Sequence, residues 1–226
     1  MRTIIVTGSE GLIGKPLSEY LDHYNHVIRL DLALGHDLTN EDTVKALFRE
    51  NRANGLINLF AINHHITTLD AQNTDPFEVS LSDMRNYHRV NVEALFSVCR
   101  EFIKNNSGNI KILNFGSLYS LRAPKRFLYH HPKHIGYVTS KHAVIGLTRY
   151  LATHFDQRVC ANVICPGGIR ADNIDRDFEE GYCLHVPLLR MGKPDDLFGI
   201  VDLLISDKSN YINGAVIPVD GGWTTW

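Results

Sequence analysis

Apolar positions fall along this chain in two kinds of run. Short β-branched or aliphatic runs at Thr3–Thr7, His26–Leu30, Leu56–Phe60, Ile110–Asn114, Val159–Ile164 and Ala215–Val219 read as strands. Between them lie longer stretches with helical spacing, the longest at Ser82–Asn105 and Tyr137–Phe155. In the latter, Ala143, Leu147 and Leu151 recur on one helix face. Strands that alternate with helices predict βα units and a parallel sheet. No internal repeat, low-complexity tract or linker breaks the alternation. The expected architecture is therefore α/β: a single-domain doubly wound parallel sheet, a Rossmann fold, with helices on both faces.

The first predicted strand runs into Thr7-Gly8-Ser9-Glu10-Gly11-Leu12-Ile13-Gly14-Lys15, and a helix follows. Glycines at 8, 11 and 14 permit a tight turn, close backbone approach to a pyrophosphate, and close packing of helix on strand. The helix N-terminus adds unpaired N–H groups and partial positive charge for phosphates. Gly also ends strands for no further reason, so it is the strand–loop–helix context that points to a dinucleotide. Asp31 ends the second strand about 20 residues on, where a carboxylate would bind the adenosine ribose hydroxyls and repel a 2′-phosphate. That favours NAD, while Arg29 and Lys15 leave NADP open, and Asp31 could equally cap a turn. Asp37-Leu38 reads either as an adenine contact or as an ordinary turn. The strand at Leu56–Phe60 ends in Ala61-Ile62-Asn63, at the crevice where ligands bind in such sheets. His64 and His65 follow as loop contacts, and no metal site is expected from them without further converging ligands.

The stretch the rest of the chain serves is Asn114 to Lys141. It begins with Asn114-Phe115-Gly116-Ser117 after an apolar run and ends with Tyr137-Val138-Thr139-Ser140-Lys141 opening a helix. Positions four apart share a helix face, so Tyr137 and Lys141 point the same way. A free phenol loses its proton near pH ~10 and a nearby cation favours the phenolate. Tyr137 would then serve as a general acid or base near neutral pH; the plain alternative is a partly buried Tyr beside a solvated Lys. Asn91 sits inside the Ser82–Asn105 helix pattern, where Asn is a mediocre helix former. It reads as a buried amide bonding backbone or water.

Composition narrows the class. The chain has 226 residues, enough for one domain with a full core, and a net charge of −2. That charge gives no reason to expect nucleic acid or an acidic membrane surface. No apolar run approaches the length of a membrane span, and the chain opens directly into its first strand without a signal peptide. Cys99, Cys160, Cys165 and Cys183 show no metal or redox spacing, so free thiols in a reducing cytoplasm are expected.

Taken together, these residues resemble the short-chain dehydrogenase/reductase family along essentially the whole chain. Gly8, Gly11 and Gly14 match its cofactor loop. Asn91, Ser117, Tyr137 and Lys141 match its catalytic tetrad, and Pro166-Gly167-Gly168 its Pro-Gly turn beside the nicotinamide. Tyr211-Ile212-Asn213-Gly214 and Val219-Asp220-Gly221-Gly222 look like its C-terminal strand and flanks. Gly116-Ser117-Leu118-Tyr119, Ala123-Pro124, Tyr129 and Pro166-Gly167-Gly168-Ile169 are similar to a bacterial subgroup that accompanies flagellin modification and nonulosonate sugar pathways. The resemblance implies a nicotinamide cofactor held by Gly8, Ser9, Gly11, Leu12, Ile13, Gly14, Asp31, Asp37, Leu38, Ala61, Tyr137, Lys141, Pro166, Gly167 and Ile169. It implies hydride transfer at a carbinol carbon, with Tyr137 moving the hydroxyl proton and Ser117 orienting the oxygen. Lys141 would lower the Tyr137 pKa and hold the nicotinamide ribose, and Asn91 would hold a water linking Lys141 to solvent. It also implies a homodimer or homotetramer, paired through the Ser82–Asn105 and Tyr137 helices.

Three departures from the family pattern stand out. The glycine spacing suits the longer epimerase-like branch, whereas the length suits the compact one. Asn58-Leu59-Phe60-Ala61 replaces the usual Asn-Asn-Ala-Gly, which puts the hydrogen bonding of the sheet there in doubt. The segment 118–136 is longer than usual, and it carries Arg122, Lys125, Arg126, Lys133, His130, His131 and His134 with no acidic residue. Arg and Lys bind phosphate by charge and hydrogen bonds. Ser117, Tyr119, Arg122, Lys125 and Arg126 are thus expected substrate contacts for an anionic carbohydrate, a sugar phosphate or nucleotide sugar; the alternative is a solvated basic loop. The segment 169–189 is a candidate lid or a pair of surface helices. Trp223 and Trp226 pack either at an interface or over the cleft. A nicotinamide-retaining epimerase or dehydratase and an idle nucleotide sensor are the competing function classes.

Overall fold

The computed structural model describes residues 1–63, 77–126, 128 and 133–226. Six strands lie parallel in one sheet: β1 (Thr3–Thr7), β2 (His26–Leu30), β3 (Gly55–Asn58), β4 (Ile110–Phe115), β5 (Val159–Pro166) and β6 (Val216–Val219), in the order β2-β1-β3-β4-β5-β6. The chain winds outward from β1 to β2, then crosses back to β3 and builds the other half. Every strand runs the same way, so all the carboxyl ends, and the loops that follow them, gather along one edge. The predicted strands all form; the first two keep their bounds and the others move by one or two residues at an end.

Alternation along each strand divides the core. Ile5, Leu56, Ile112 and Val163 face one way, packed by Val44 and Phe48 of α2 (Glu41–Glu50). The same cluster takes in Val98 and Phe102 of α4 (Leu95–Asn105) and Val144 and Leu151 of α5 (Ile135–His154). Ile4, Val6, Ile57 and Leu113 face the other way, against Leu17 and Leu21 of α1 (Gly14–Asp22) and Val201 and Leu204 of α7 (Phe198–Ile205). Both faces of a parallel sheet are thereby covered, as its runs of apolar residues require. α6 (Arg176–Cys183) belongs to neither layer and lies over the carboxyl edge.

The expected helix at Ser82–Asn105 forms from α3 (Leu81–His88) through α4, with a π-helical turn at Arg89–Ala94 between them. Asn91 lies in that turn. Its Oδ1 accepts from the Ile62 N–H at 2.9 Å and its Nδ2 donates to the Ile62 carbonyl at 3.1 Å and to Ser140 Oγ at 3.0 Å. The wider turn lets the amide clasp the chain leaving β3 instead of bonding within its own helix.

The altered motif after β3 does not cost the sheet its polar bonding. Thr7 Oγ1 donates to Asn58 Oδ1 at 3.0 Å, and Asn58 Nδ2 donates to Asn114 Oδ1 at 2.9 Å. Asn114 Nδ2 then donates to Thr148 Oγ1 at 2.9 Å on α5. The doubt raised by the sequence is resolved because Asn58 alone supplies both the acceptor and the donor that this level of the sheet needs. Removing a link strands buried groups at about 1–3 kcal/mol each. Asn114→Ala strands two, so it should lower the unfolding free energy by roughly 2–4 kcal/mol, and Thr148→Val by about 1 kcal/mol. Denaturant titrations of the two variants would reveal the difference; equal and small effects would mean that the ladder is not a stability element.

Candidate active site

The loops after β1, β3, β4 and β5 enclose a cleft of about 320 Å³. Its phosphate-sized end is made of backbone. Gly8 has φ of 69°, and a Cβ there would lie 2.5 Å from the Phe60 amide nitrogen. At Gly14 a Cβ would lie 1.9 Å from the Gly8 carbonyl oxygen. Only glycine at both points lets the loop fold flat against β3 and present the first turn of α1 to the cleft. At the cleft wall Asn63 Oδ1 is buried and has no hydrogen-bond partner among the described residues. A trough of this shape with an unmet acceptor beside it fits a dinucleotide, whose pyrophosphate needs close backbone approach and whose hydroxyls are donors.

Asp31 stands directly after β2. Its carboxylate accepts from the Glu10 N–H at 3.0 Å and the Ala33 N–H at 2.8 Å. It therefore caps the following turn and also reaches the glycine loop, so both readings of this residue meet in one place. Asp37 and Leu38 differ. Leu38 is buried in the core, and the Asp37 carboxylate takes the N–H and hydroxyl of Thr39 at 2.9 and 2.7 Å. Those contacts hold the turn, as the plain reading of this pair expects.

Ser117 leaves β4 in a reciprocal turn. Its N–H donates to Ser120 Oγ at 3.0 Å, its own Oγ accepts from the Tyr119 N–H at 3.1 Å, and Ser120 Oγ donates to the Lys141 carbonyl at 2.7 Å. The Ser117 hydroxyl keeps its proton and a second lone pair free, and it lines the cleft beside the Tyr137 phenol. Tyr137 and Lys141 occupy the first turns of α5, both buried. The Lys141 ammonium donates to the Phe115 carbonyl at 2.9 Å and lies 5.9 Å from the Tyr137 ring centre. Burial pushes the phenol up to about 12, outweighing the neighbouring Ser117 hydroxyl, which favours its ionised form. Burial likewise pushes Lys141 down to about 8. The phenol lowered by its lysine is therefore not found in the free chain: desolvation dominates, and it favours the uncharged form of each group.

A roof of apolar and aromatic side chains closes the far side. Tyr182 of α6 accepts from the Gly168 N–H at 2.6 Å and stacks on Trp223 with ring centres 4.5 Å apart. Phe178, Tyr119 and Met191 complete the lining. Within 169–189 the one helix is α6, and its inner face lines the cleft. Trp223 is buried behind that face, while Trp226 is exposed and donates to the His185 carbonyl at 3.3 Å.

The model of a family described as enoyl-(acyl carrier protein) reductase matches residues 16–224. A short chain dehydrogenase from Leptospira borgpetersenii, solved with bound NAD+, superposes with a TM-score of 0.84 at 28% identity, over 99% of this chain and 92% of that one. The chain belongs to the short-chain dehydrogenase/reductase family. Glucose 1-dehydrogenase 2 of Bacillus subtilis is 27% identical over 100% of this chain and 95% of its own. 2-Dehydro-3-deoxy-D-gluconate 5-dehydrogenase of Dickeya dadantii is 33% identical over 66% of this chain and 60% of its own length. None of these three relatives is named for flagellin modification. As a short-chain dehydrogenase/reductase the protein is an oxidoreductase that uses NAD or NADP.

In this short-chain dehydrogenase/reductase, Gly8, Gly11, Leu12, Ile13, Gly14, Ala61, Ser117, Tyr119, Tyr137, Lys141, Pro166, Gly167 and Ile169 all line the cleft. Ser9 is buried beneath the loop and Asn91 behind it. The expected anion contacts Arg122, Lys125 and Arg126 do not reach it. Arg122 donates to the Thr224 carbonyl at 2.7 Å; Lys125 lies 2.9 Å from His185 Nδ1 and 5.1 Å from the Trp223 ring centre. These two cations fasten the C-terminal segment instead, because the turn after Ser120 carries them outward over it. Lys133 lines the cleft in their place, with Asn63, which its strand-end position puts at the crevice. Met191 also lines it, and nothing in the local sequence marks that residue. His64, His65, Tyr129, His130 and His131 lie outside the described residues. Among the described residues no group of three His, Cys, Asp or Glu is placed to hold a metal, no helix is long and apolar enough to cross a membrane, and the four cysteines are free.

The depressed Lys141 sets a pH dependence. From about pH 8 to 10.5 the unfolded chain binds the proton that the folded chain has released, so stability rises with pH across that window. The unfolding free energy of the wild type minus that of Lys141→Met should climb by roughly 1–2 kcal/mol between about pH 8 and 9.5. Parallel curves for the two proteins would rule out a desolvated Lys141.

Proposed function

We propose that this oxidoreductase interconverts a secondary alcohol and a ketone on a polyhydroxylated sugar acid, with NAD as the preferred cofactor. The observation that carries the reading is that Ser117, Tyr137 and Lys141 are buried side by side in the lining of one cleft. A carbinol or carbonyl oxygen has one place there where it meets both hydroxyls. Ser117 Oγ orients that oxygen, and Tyr137 Oη gives it a proton or takes one. Bound beside them, the nicotinamide supplies the hydride acceptor or donor. Lys141 Nζ, released from the Phe115 carbonyl by a competing acceptor, lowers the cost of the phenolate and can bond ribose hydroxyls. Asn91 acts by holding Ile62 and Ser140, which keeps the β3 loop and α5 at a set distance. Gly8, Gly11, Gly14 and the first turn of α1 hold the pyrophosphate, and Pro166, Gly167 and Ile169 back the nicotinamide.

A phenol pushed up by burial is protonated at neutral pH, the form that reduces a carbonyl by general acid catalysis. Oxidation of the alcohol then needs higher pH. The sugar-acid substrate is supported by the Dickeya relative, whose name specifies a dehydrogluconate, and by a cleft lining that, among the described residues, holds polar donors and no carboxylate. A phosphorylated or nucleotide-activated sugar has support only from the basic composition of 118–136. NAD is supported by Asp31 at the end of β2, where its charge opposes a 2′-phosphate. Exposed Phe96 on α4 and Tyr150 on α5 support pairing of copies through those helices.

NADH formation or loss should be followed on D-gluconate and its keto derivatives, on aldoses, and on sugar phosphates and nucleotide sugars, with NAD and NADP in parallel. Turnover confined to sugar acids is expected; turnover confined to phosphorylated sugars would replace the substrate reading. Tyr137→Phe should lower kcat by roughly a hundredfold or more, in line with loss of a general acid or base, and leave NADH fluorescence titrations within a few-fold. Asp31→Ser should raise the NADP-to-NAD ratio of kcat/KM about tenfold or more. An unchanged ratio would move the selectivity elsewhere.

A further inference from the structure

We infer that Lys133 binds the anionic end of the substrate, so that one ammonium in the cleft selects a carboxylate-bearing carbohydrate over its neutral counterpart. The inference rests on the sugar-acid reading above and names the residue that would enforce it. Among the described residues two lysines line the cleft, Lys133 and Lys141. Lys141 is committed to the Phe115 carbonyl at 2.9 Å. Lys133 has no hydrogen bond and no ion pair among the described residues; its one defined contact is the face of the Tyr137 ring, 4.8 Å from the ring centre. The residues on either side of it supply no carboxylate, since 118–136 contains no Asp or Glu.

A cation on an aromatic face recovers only part of the hydration it has lost. The ammonium is accordingly under-satisfied, and its pKa falls to about 8 through burial. A long, flexible lysine normally extends into water to avoid this. Here the chain leads into α5 through His134, whose ring stacks on Tyr87 at 4.6 Å and whose Nδ1 accepts from the Gly136 N–H at 3.0 Å. That fixed helix entry directs Lys133 inward, over the phenol.

The placement suits recognition at a distance from the reacting carbon. From the ring face, the ammonium and the phenol oxygen of Tyr137 are separated by less than an extended sugar-acid chain can span. A substrate oxygen held by Ser117 and Tyr137 can therefore leave its carboxylate at Lys133. No arginine lines the cleft, and a single ammonium matches a singly charged carboxylate better than a dianionic phosphate, for which the bidentate guanidinium is suited. A neutral polyol in the same pose would leave the ammonium unpaired and would be discriminated against.

The direct test is limited amine acylation of the NAD-loaded wild-type protein at pH 8, with Lys133 followed by peptide mass mapping. D-Gluconate should slow its acylation about tenfold at saturation, by holding the amine protonated and covered, and D-sorbitol should not. Acetate at higher concentration should also protect. Lys133 acylated at one rate with and without gluconate, glucose 6-phosphate and acetate overturns the proposal. Protection by acetate without protection by gluconate keeps the anion site and removes the sugar-acid reading. Stronger protection by glucose 6-phosphate than by gluconate overturns the carboxylate and makes the bound group a phosphate. In turnover, Lys133→Met should cut the kcat/KM preference for gluconate over sorbitol roughly ten- to hundredfold through KM, with Lys133→Arg intermediate. An intact preference in Lys133→Met would count equally against it.

Discussion

The cleft depends on a row of buried hydrogen bonds, from Thr7 through Asn58 and Asn114 to Thr148. Each link joins a different element, β1 to β3, β3 to β4, and β4 to α5. In a low-dielectric interior these groups lose more by being mispaired than an apolar set would, so the row admits one register. It sits at the last residue of β1 and of β3 and one residue before the end of β4. Ser117 lies three residues beyond Asn114 on the same strand exit, and Tyr137 and Lys141 lie on the helix that carries Thr148. Securing β4 to α5 at this level therefore sets how closely the serine hydroxyl approaches the phenol. The β1–β3 link likewise brings Gly8 against Phe60.

Electrostatically the site is built for company. Among the described residues it holds two lysines and a tyrosine, all substantially desolvated, and no carboxylate lines it. Burial favours the uncharged state of each when the cleft is free. A ligand that brings acceptor groups and negative charge would reverse that preference at the two lysines, because an opposite charge close by favours the ionised form, and a charged lysine then favours the phenolate beside it. Binding and proton transfer are thus coupled through the same desolvation.

The basic segment shows how charge counting differs from charge placement. Arg122 and Lys125 satisfy the C-terminal carbonyls, His185 and the Trp223 ring, and so hold down the aromatic layer that roofs the cleft. Their contribution to the site is to shape, through Tyr182 and Trp223. One cation of the group, Lys133, turns the other way.

What the sequence determined by itself is what short range decides. Short β-branched and aliphatic runs marked the strands, because a strand covered on both faces needs apolar side chains at successive positions. Glycines at 8 and 14 marked the phosphate trough, because a missing Cβ acts at its own position. The spacing of Tyr137 and Lys141 put both on one helix face, because the helix repeat is fixed. Tertiary structure alone decided the rest. That Asn58 could serve the sheet without a second Asn, that Asn91 widens its helix to hold Ile62, and that Leu38 belongs to the core all depend on partners far away in the chain. The pKa values of Tyr137 and Lys141 depend on how much protein surrounds them, which neighbours in sequence do not reveal. Lys125 and Lys133 look alike in the chain and differ only in which way the backbone turns after Ser120 and before α5. Direction of that kind is a property of packing, since a side chain's reach is local but what it reaches is not.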